Sequence, residues 1–348
     1  MQTLDQLLID MLQAGGSDLH LSVGSVPKTR IDGLIYPLGD QIIDAAMMDS
    51  MLHAVVPPHR WERFEQSGDT DLAYEINGRA RFRMNLFRNS HGLATVLRQI
   101  PSRIASIDEL DLPQSLKQVA LYQAGLVLVT GPTGSGKSTT LAAIVNHINQ
   151  NTQKQIITLE DPVEFTHADK NSTIIHREIG EHTKSFAKAL RGAIRADPDV
   201  ILIGEMRDME TIRLALNCAA MGILIFATVH TNNATKTIDR IIDAFPSEEQ
   251  NQTRTMLADS LCAVISQLLC QKQEGGRVAA HEILLSHSSL PHCIRKGALA
   301  SIRNIIEQNR NEGMISMDAS LRQLLEAGVI TQNEAYMKAI DKTHFKPA

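Results

Sequence analysis

Apolar positions along this chain follow two rhythms. Up to about residue 100 they mostly alternate with polar ones, and beyond about residue 114 they come as short unbroken runs between helix-like stretches. Leu4, Leu7, Leu8, Met11 and Leu12 share one helical face, with Thr3 as its cap and Gly15-Gly16 as its stop. Leu19, Leu21 and Val23 then alternate as the inward side of a strand, and Asp32-Gly33 between two apolar segments signals a hairpin. Residues 44–66 read as helical, interrupted at Pro57-Pro58. A second hairpin, 71–76 and 79–87, turns on Asn77-Gly78. In its second strand Phe82, Met84 and Leu86 share one face, which leaves Arg79, Arg81, Arg83 and Asn85 on the other. Residues 93–100 give one more strand.

The texture changes next. Residues 101–113 are polar and turn-prone, with Asp108, Glu109 and Asp111, and read as a linker between a small α+β domain (1–100) and a larger domain (114–348). In the larger one, apolar runs at 126–130, 155–159, 200–204, 224–229 and 277–285 alternate with helical patterns, the signature of an α/β fold with a mostly parallel sheet. Ser185 caps a helix carrying Ala187, Leu190 and Ile194, and the stretches 248–271 and 316–340 read as helices.

Composition narrows the picture a little. At 348 residues and 43% hydrophobic content, the chain can build two packed cores. A net charge of −5 and a pI near 6.2 give no general reason to expect nucleic acid as partner. The longest apolar runs are strand-length, and no basic n-region opens the chain, so neither a membrane span nor a signal peptide is expected. Cys218, Cys262, Cys270 and Cys293 form no C-x-x-C pair, which suits scattered thiols in a reducing cytoplasm.

The chemistry gathers where the apolar runs end. The run 126–130 enters Gly131-Pro132-Thr133-Gly134-Ser135-Gly136-Lys137-Ser138-Thr139, and a helix-forming stretch follows. Strand, glycine-rich loop and helix is the setting in which backbone N–H groups cradle phosphates, so this loop is expected to bind ATP. Lys137 would reach the β- and γ-phosphates, and Ser138 would ligate Mg²⁺. Two further runs end in carboxylates suited to an attacking water: Glu160, Asp161 and Glu164 after 155–159, and Glu205 after 200–204. A general Walker B strand has Asp before its Glu. Here that position is Gly204, so the metal is left to Ser138 with Glu160 and Asp161. His230 closes the run 224–229, where it could sense the γ-phosphate, and Arg81 and Arg83 are candidates for contacting it from a rigid strand.

Taken together, GPTGSGKST at 131–139, ITLEDPVEF at 157–165, RADPDVILIGEMRDMETIRLAL at 195–216 and FATVHTNNATKTIDRIID at 226–243 resemble the PilT-type ATPases of type IV pili. These are the retraction motors of the secretion ATPase superfamily. SDLHLSVG at 17–24, RIDG at 30–33 and RFRMNLF at 81–87 extend the resemblance, which spans roughly residues 4–340. It implies a PAS-like N-terminal domain, a RecA-like P-loop ATPase domain, and a homohexameric ring with nucleotide at domain and subunit boundaries. It assigns Glu164 to the Asp box, Glu205 to the catalytic Walker B position, His230 to the His box, and Arg81 and Arg83 to nucleotide contacts. Implied partners are an inner-membrane platform protein and a second retraction ATPase, with the ring peripheral at the cytoplasmic face of that membrane.

Two departures stand out. Gly222 is followed by Ile223 where the family's His box has Gly-His, and the family's AIRNLIRE motif survives at 289–296 only as Ile294-Arg295. The altered motif keeps open an accessory retraction ATPase or a type IV secretion motor. An assembly ATPase would carry a longer N-terminal region and a four-cysteine zinc motif. A DNA-handling RecA-like ATPase is disfavoured by the acidic pI and the lack of aromatic-basic clusters. Retention of Glu164 and Glu205 speaks against a non-hydrolysing scaffold.

Overall fold

A computed structural model describes residues 3–31, 33–76, 78–100 and 103–346. They fall into two compact units: one reaches Arg103 and also takes in Pro162–Thr166, and the other comprises Ile104–Asp161 and the chain from His167 onward.

The first unit opens with α1 (Leu4–Gln13), whose first turn is closed by the Thr3 hydroxyl accepting from the Gln6 N–H, and whose Leu4, Leu7, Leu8 and Met11 are buried. Strands β1 (Asp18–Ser22), β2 (Lys28–Ile31) and β3 (Leu34–Pro37) follow. The expected interruption at Pro57-Pro58 separates α2 (Ala45–His53) from α3 (Pro58–Ser67), with Pro58 in the first turn, where no N–H is needed. Strands β4 (Asp69–Ile76), β5 (Ala80–Asn89) and β6 (Gly92–Ile100) complete an antiparallel six-stranded sheet in the order β3-β2-β1-β6-β5-β4. Asp32 and Asn77 of the two hairpin turns lie outside the described residues, but the strands that they would join do pair, Ile31 with Leu34 and Ile76 with Ala80. Phe82, Met84 and Leu86 pack into the core, and Arg81, Arg83 and Asn85 stay half-buried on the other face.

The second unit runs α4 (Ser115–Ala120), β7 (Gly125–Thr130), α5 (Lys137–Asn151), β8 (Gln155–Glu160), β9 (Thr173–Glu178), α6 (Phe186–Ile194), β10 (Val200–Ile203), α7 (Met209–Ala220), β11 (Leu224–Val229), α8 (Ala234–Asp243) and α9 (Ser247–Ser260). Then come β12 (Leu261–Gln271), β13 (Arg277–Leu285), α10 (Leu290–Lys296), α11 (Ile302–Gln308), α12 (Met317–Glu326) and α13 (Gln332–Lys338). The seven-stranded sheet has the order β13-β12-β7-β11-β10-β8-β9, and every pairing is parallel except β12 with β13.

The structure corrects the sequence reading at three elements, of which the stretch 316–340 is broken at Gly328 (φ 68°) into α12 and α13. Residues 248–271 were expected as one helix, but the helix ends at Ser260 and the remainder is β12. The polar stretch before Ser260 suits a surface helix, whereas Leu261–Gln271 carries an apolar run with Val264 and Ile265 that fills the open edge of β7. Strand β9 was not expected and adds an edge beside β8. Of the stretch 101–113, Pro101 and Ser102 lie outside the described residues, and the chain from Ile104 lies in the second unit, where Ile107 and Leu112 are buried.

One buried group carries a pH signature. His281 on β13 is 3% exposed, its Nε2 has no partner, and burial pushes its imidazole down to about 4. Between pH 6.5 and 4 the unfolded chain takes up a proton that the folded one refuses. Stability should therefore fall with pH, by at most about 1.4 kcal/mol per unit. Urea midpoints across this range should show a shallower slope in His281→Leu. An unchanged slope would assign the effect to other groups.

Candidate active site

The carboxyl ends of parallel strands are where open α/β sheets gather their chemistry. Four loops of the second unit start there, after β7, β8, β10 and β11. The loop after β7 takes left-handed backbone at Gly131, Gly134 and Gly136 (φ 148°, 77° and 88°), and Gly136 forms the N-cap of α5. At two of these glycines the space for a side chain is also occupied. A Cβ on Gly131 would lie 2.4 Å from the Gln267 carbonyl oxygen, and one on Gly136 would lie 2.8 Å from the Gln267 Nε2. Lys137 is buried, and its Nζ donates to the Gly131 and Pro132 carbonyls at 2.9 and 3.0 Å. The cation therefore sits folded against the loop whose ligands it would meet.

At the end of β10, Gly204 passes close to β8. Its N–H donates to the Leu159 carbonyl at 2.7 Å, and a Cβ there would lie 3.2 Å from that oxygen and 3.3 Å from the Glu160 Cα. Glycine thus lets the two backbones approach closely at the position where a Walker B strand has Asp. Thr228 of β11 donates its hydroxyl to the Gly204 carbonyl and accepts the Met206 N–H at its own carbonyl (3.0 Å), so β11 fixes the turn that presents Glu205.

Glu205 and His230, both expected from sequence, do meet: His230 Nε2 lies 3.1 Å from Glu205 Oε1. Arg207, which sequence reasoning passed over, lies closer still, its Nε 2.6 Å from the same oxygen. Burial alone would raise the Glu205 carboxyl. The hydrogen bond and charge of Arg207, followed by His230, overcome that and hold the carboxyl below its usual range. Two residues after Glu205, in the same loop, Arg207 was within reach of a sequence argument.

Glu160 ends β8, with His176 Nδ1 of β9 3.8 Å from its Oε1. The His167 backbone N–H donates to His176 Nε2 at 3.0 Å, so that nitrogen accepts. His176 therefore carries its proton on Nδ1, toward the Thr158 hydroxyl (2.8 Å) and Glu160. His176 was invisible earlier because β9 was. Asp161 contributes to the field around Arg207, after Glu205.

The remaining predicted residues assemble in the first unit. Glu164 belongs to the segment Pro162–Thr166, and its carboxylate lies 3.7 Å from Arg83, which also faces Asp71 at 3.5 Å. Arg81 donates to the Thr166 hydroxyl and lies 3.8 Å from Glu75. The arginine strand thus holds Glu164, and Glu205 has other partners.

Known proteins resemble the chain over nearly its whole length. A family model described as type II/IV secretion system protein matches residues 1–340. The type IV pilus retraction ATPase PilT of Pseudomonas aeruginosa is 43% identical over 336 residues, covering 97% of this chain and 98% of that protein. A twitching motility protein of Neisseria gonorrhoeae is 44% identical over 314 residues, covering 90% of this chain and 84% of its own. A crystal structure of the pilus retraction motor PilT with bound ADP superposes with a TM-score of 0.91 at 38% identity, covering 99% of each chain.

The charge balance at Glu205 can be measured directly. Arg207 has an exposed side chain (77%), so Arg207→Ala should leave the fold intact. With only His230 opposing burial, the Glu205 carboxyl should titrate at higher pH than in the wild type. Carboxyl-carbon NMR titration reads this shift, and an unchanged midpoint would mean that Arg207 does not hold the charge.

Proposed function

This chain belongs to the type II/IV secretion system protein family, and we propose that within it the protein is a ring-forming ATPase that drives retraction of type IV pili. The observation that carries the reading is near full-length likeness to retraction and twitching-motility proteins. The local geometry supports it, since Glu205 is kept ionised at the same end of the parallel sheet at which β7, on the far side of β11, feeds a glycine-rich loop.

In this reading the N–H groups of 131–139 and the start of α5 bind the triphosphate, and Lys137 turns from the loop carbonyls to the β- and γ-phosphates. The Ser138 hydroxyl and the carboxylates of Glu160 and Asp161 are hard oxygen donors of the kind that Mg²⁺ takes together with phosphate oxygens. When bound, the ion neutralises charge on the phosphoryl oxygens. Glu205 accepts a hydrogen bond from the attacking water. Because Arg207 and His230 depress its basicity, it orients the water more than it deprotonates it. His230, joined to the same oxygen, responds to whatever pulls Glu205 toward the nucleotide. Arg81 and Arg83 supply charge to the transferring phosphoryl group, with Glu164 holding Arg83 in place.

Partners of the reading are five further copies, the membrane platform of the pilus machine, and a second retraction ATPase. The altered AIRNLIRE-like segment favours one further possibility, an accessory retraction motor. It forms α10, in which Ile294 is core and Arg295 pairs with Asp259 at the surface.

Lys137→Ala should abolish nucleotide binding, whereas Glu205→Gln should retain it and lose turnover by about 10²-fold or more. Nucleotide titration with phosphate-release assays separates the two. Wild-type turnover in the glutamine variant would remove Glu205 from the reaction. In cells, loss of the protein should leave surplus pili and no twitching, and normal twitching would overturn the retraction reading.

A second expectation concerns coupling. Arg295 touches no part of the nucleotide loop, so Arg295→Ala should leave ATP turnover near the wild-type value and stop twitching. Retained twitching in that variant would place force transmission elsewhere.

A further inference from the structure

The backbone amides of a phosphate loop can point inward only if its carbonyls point outward and find partners there. In the described structure one of those partners is a single buried side chain from a strand next to β7. Gln267 on β12 is 3% exposed. Its Nε2 donates to the Ser135 carbonyl at 2.7 Å, and its Oε1 accepts the Thr140 hydroxyl at 2.7 Å. Ser135 lies in the loop and Thr140 in the first turn of α5, so the two ends of this one amide grip the loop and the helix that follows it.

The fit extends to the backbone. The Gln267 carbonyl occupies the space that a Cβ of Gly131 would need, and its amide nitrogen occupies that of Gly136. One residue earlier, Ser266 pairs in register with Thr130 and accepts its hydroxyl at 2.9 Å. The glycines of the loop and the amide of Gln267 therefore form one packing unit.

We infer that Gln267 is a positioning residue of the nucleotide site, a clamp that sets the direction of the phosphate-loop amides from the neighbouring strand. The inference rests on the reading of 131–139 as the nucleotide loop. A glutamine suits the task because it offers a donor and an acceptor on one rigid plane, and both are used. With the donor gone, the Ser135 carbonyl is left buried without that partner. The peptide that it shares with Gly136 can then rotate, which turns the Gly136 N–H away from the phosphates.

Gln267→Met keeps the volume and removes both polar atoms. Gln267→Glu keeps the acceptor for Thr140, removes the donor to Ser135, and adds negative charge beside the loop. Thr140→Val removes the other bond. Titration of MgADP into the full chain should show about tenfold weaker binding for Gln267→Met, and weaker still for Gln267→Glu. Thr140→Val should weaken binding in the same direction. The double variant Gln267→Met/Thr140→Val should be no weaker than Gln267→Met alone, since both changes break one unit. In steady-state assays the loss should appear in KM more than in kcat. The loss in binding should exceed any loss of nucleotide-free stability read from melting temperature, which a merely structural role would not allow.

Binding by Gln267→Met within twofold of wild type would overturn the clamp. So would equal losses in affinity and nucleotide-free stability across the set, or additive losses in the double variant. If Gln267→Met fails to fold, Gln267→Glu and Thr140→Val decide the same point. Failure of the wild-type chain to bind MgADP would instead overturn the reading of the loop itself.

Discussion

Parallel pairing at β7 is the constraint on which the second unit depends. Every residue of β7 is buried, and the strand is hydrogen-bonded to β11 on one side and β12 on the other. A parallel neighbour must enter from the same end, so the loops after β7, β8, β10 and β11 all leave at one edge of the sheet. Rigid, mostly apolar strands thereby hold the starts of four polar loops in fixed order. The loop after β7 lies beside the one after β11, and that beside the one after β10, which is why Glu205 and His230 meet although 25 positions separate them in sequence.

That edge was readable from sequence because buried parallel strands are short unbroken apolar runs, and each of these ends abruptly in glycine or polar residues. Leu126-Val127-Leu128-Val129 and Val200-Ile201-Leu202-Ile203 allow little else. Strand β12 was unreadable for the opposite reason. No glycine or proline separates the end of α9 from Leu261, and an apolar run there fits helix or strand equally well. Only the open edge of β7 decides between them, and that is a tertiary fact. Missing β12 hid Gln267, and missing β9 hid His176, since neither residue carries a local signal. The antiparallel unit was legible through alternation, down to the split between Phe82 and Met84 on one face and Arg81 and Arg83 on the other.

Glu164 and Glu205 show how far residue type can be pushed. Both are carboxylates beyond a strand end, and in sequence they differ mainly in how closely each follows its apolar run. Glu205 follows β10 directly, is mostly buried, and has its charge fixed by Arg207 and His230. Glu164 lies past Pro162, in a segment that packs with the first unit and faces Arg83 from a more exposed position. Their roles diverge for an electrostatic reason. A carboxylate with depressed basicity in a tight hydrogen-bonded corner can aim a water, whereas one set against a guanidinium on a stiff strand can aim that guanidinium.

Gly204 carries this logic to the metal. From sequence, Gly204 leaves the metal to Ser138 and the other acidic loop, and the structure shows the backbones packed closely at that position. The backbone of β10 leaves the sheet against the last residues of β8, close enough for the Gly204 N–H to bond the Leu159 carbonyl and to leave a Cβ little room. The same close approach brings the turn holding Glu205 alongside the turn holding Glu160 and Asp161, and the charge of Asp161 reaches Arg207. In the function proposed above, the acidic oxygen absent from one strand would be offered by its neighbour. It arrives on a loop that His176 anchors through Glu160 and the His167 backbone, which gives the unexpected edge strand β9 a part in ordering the site.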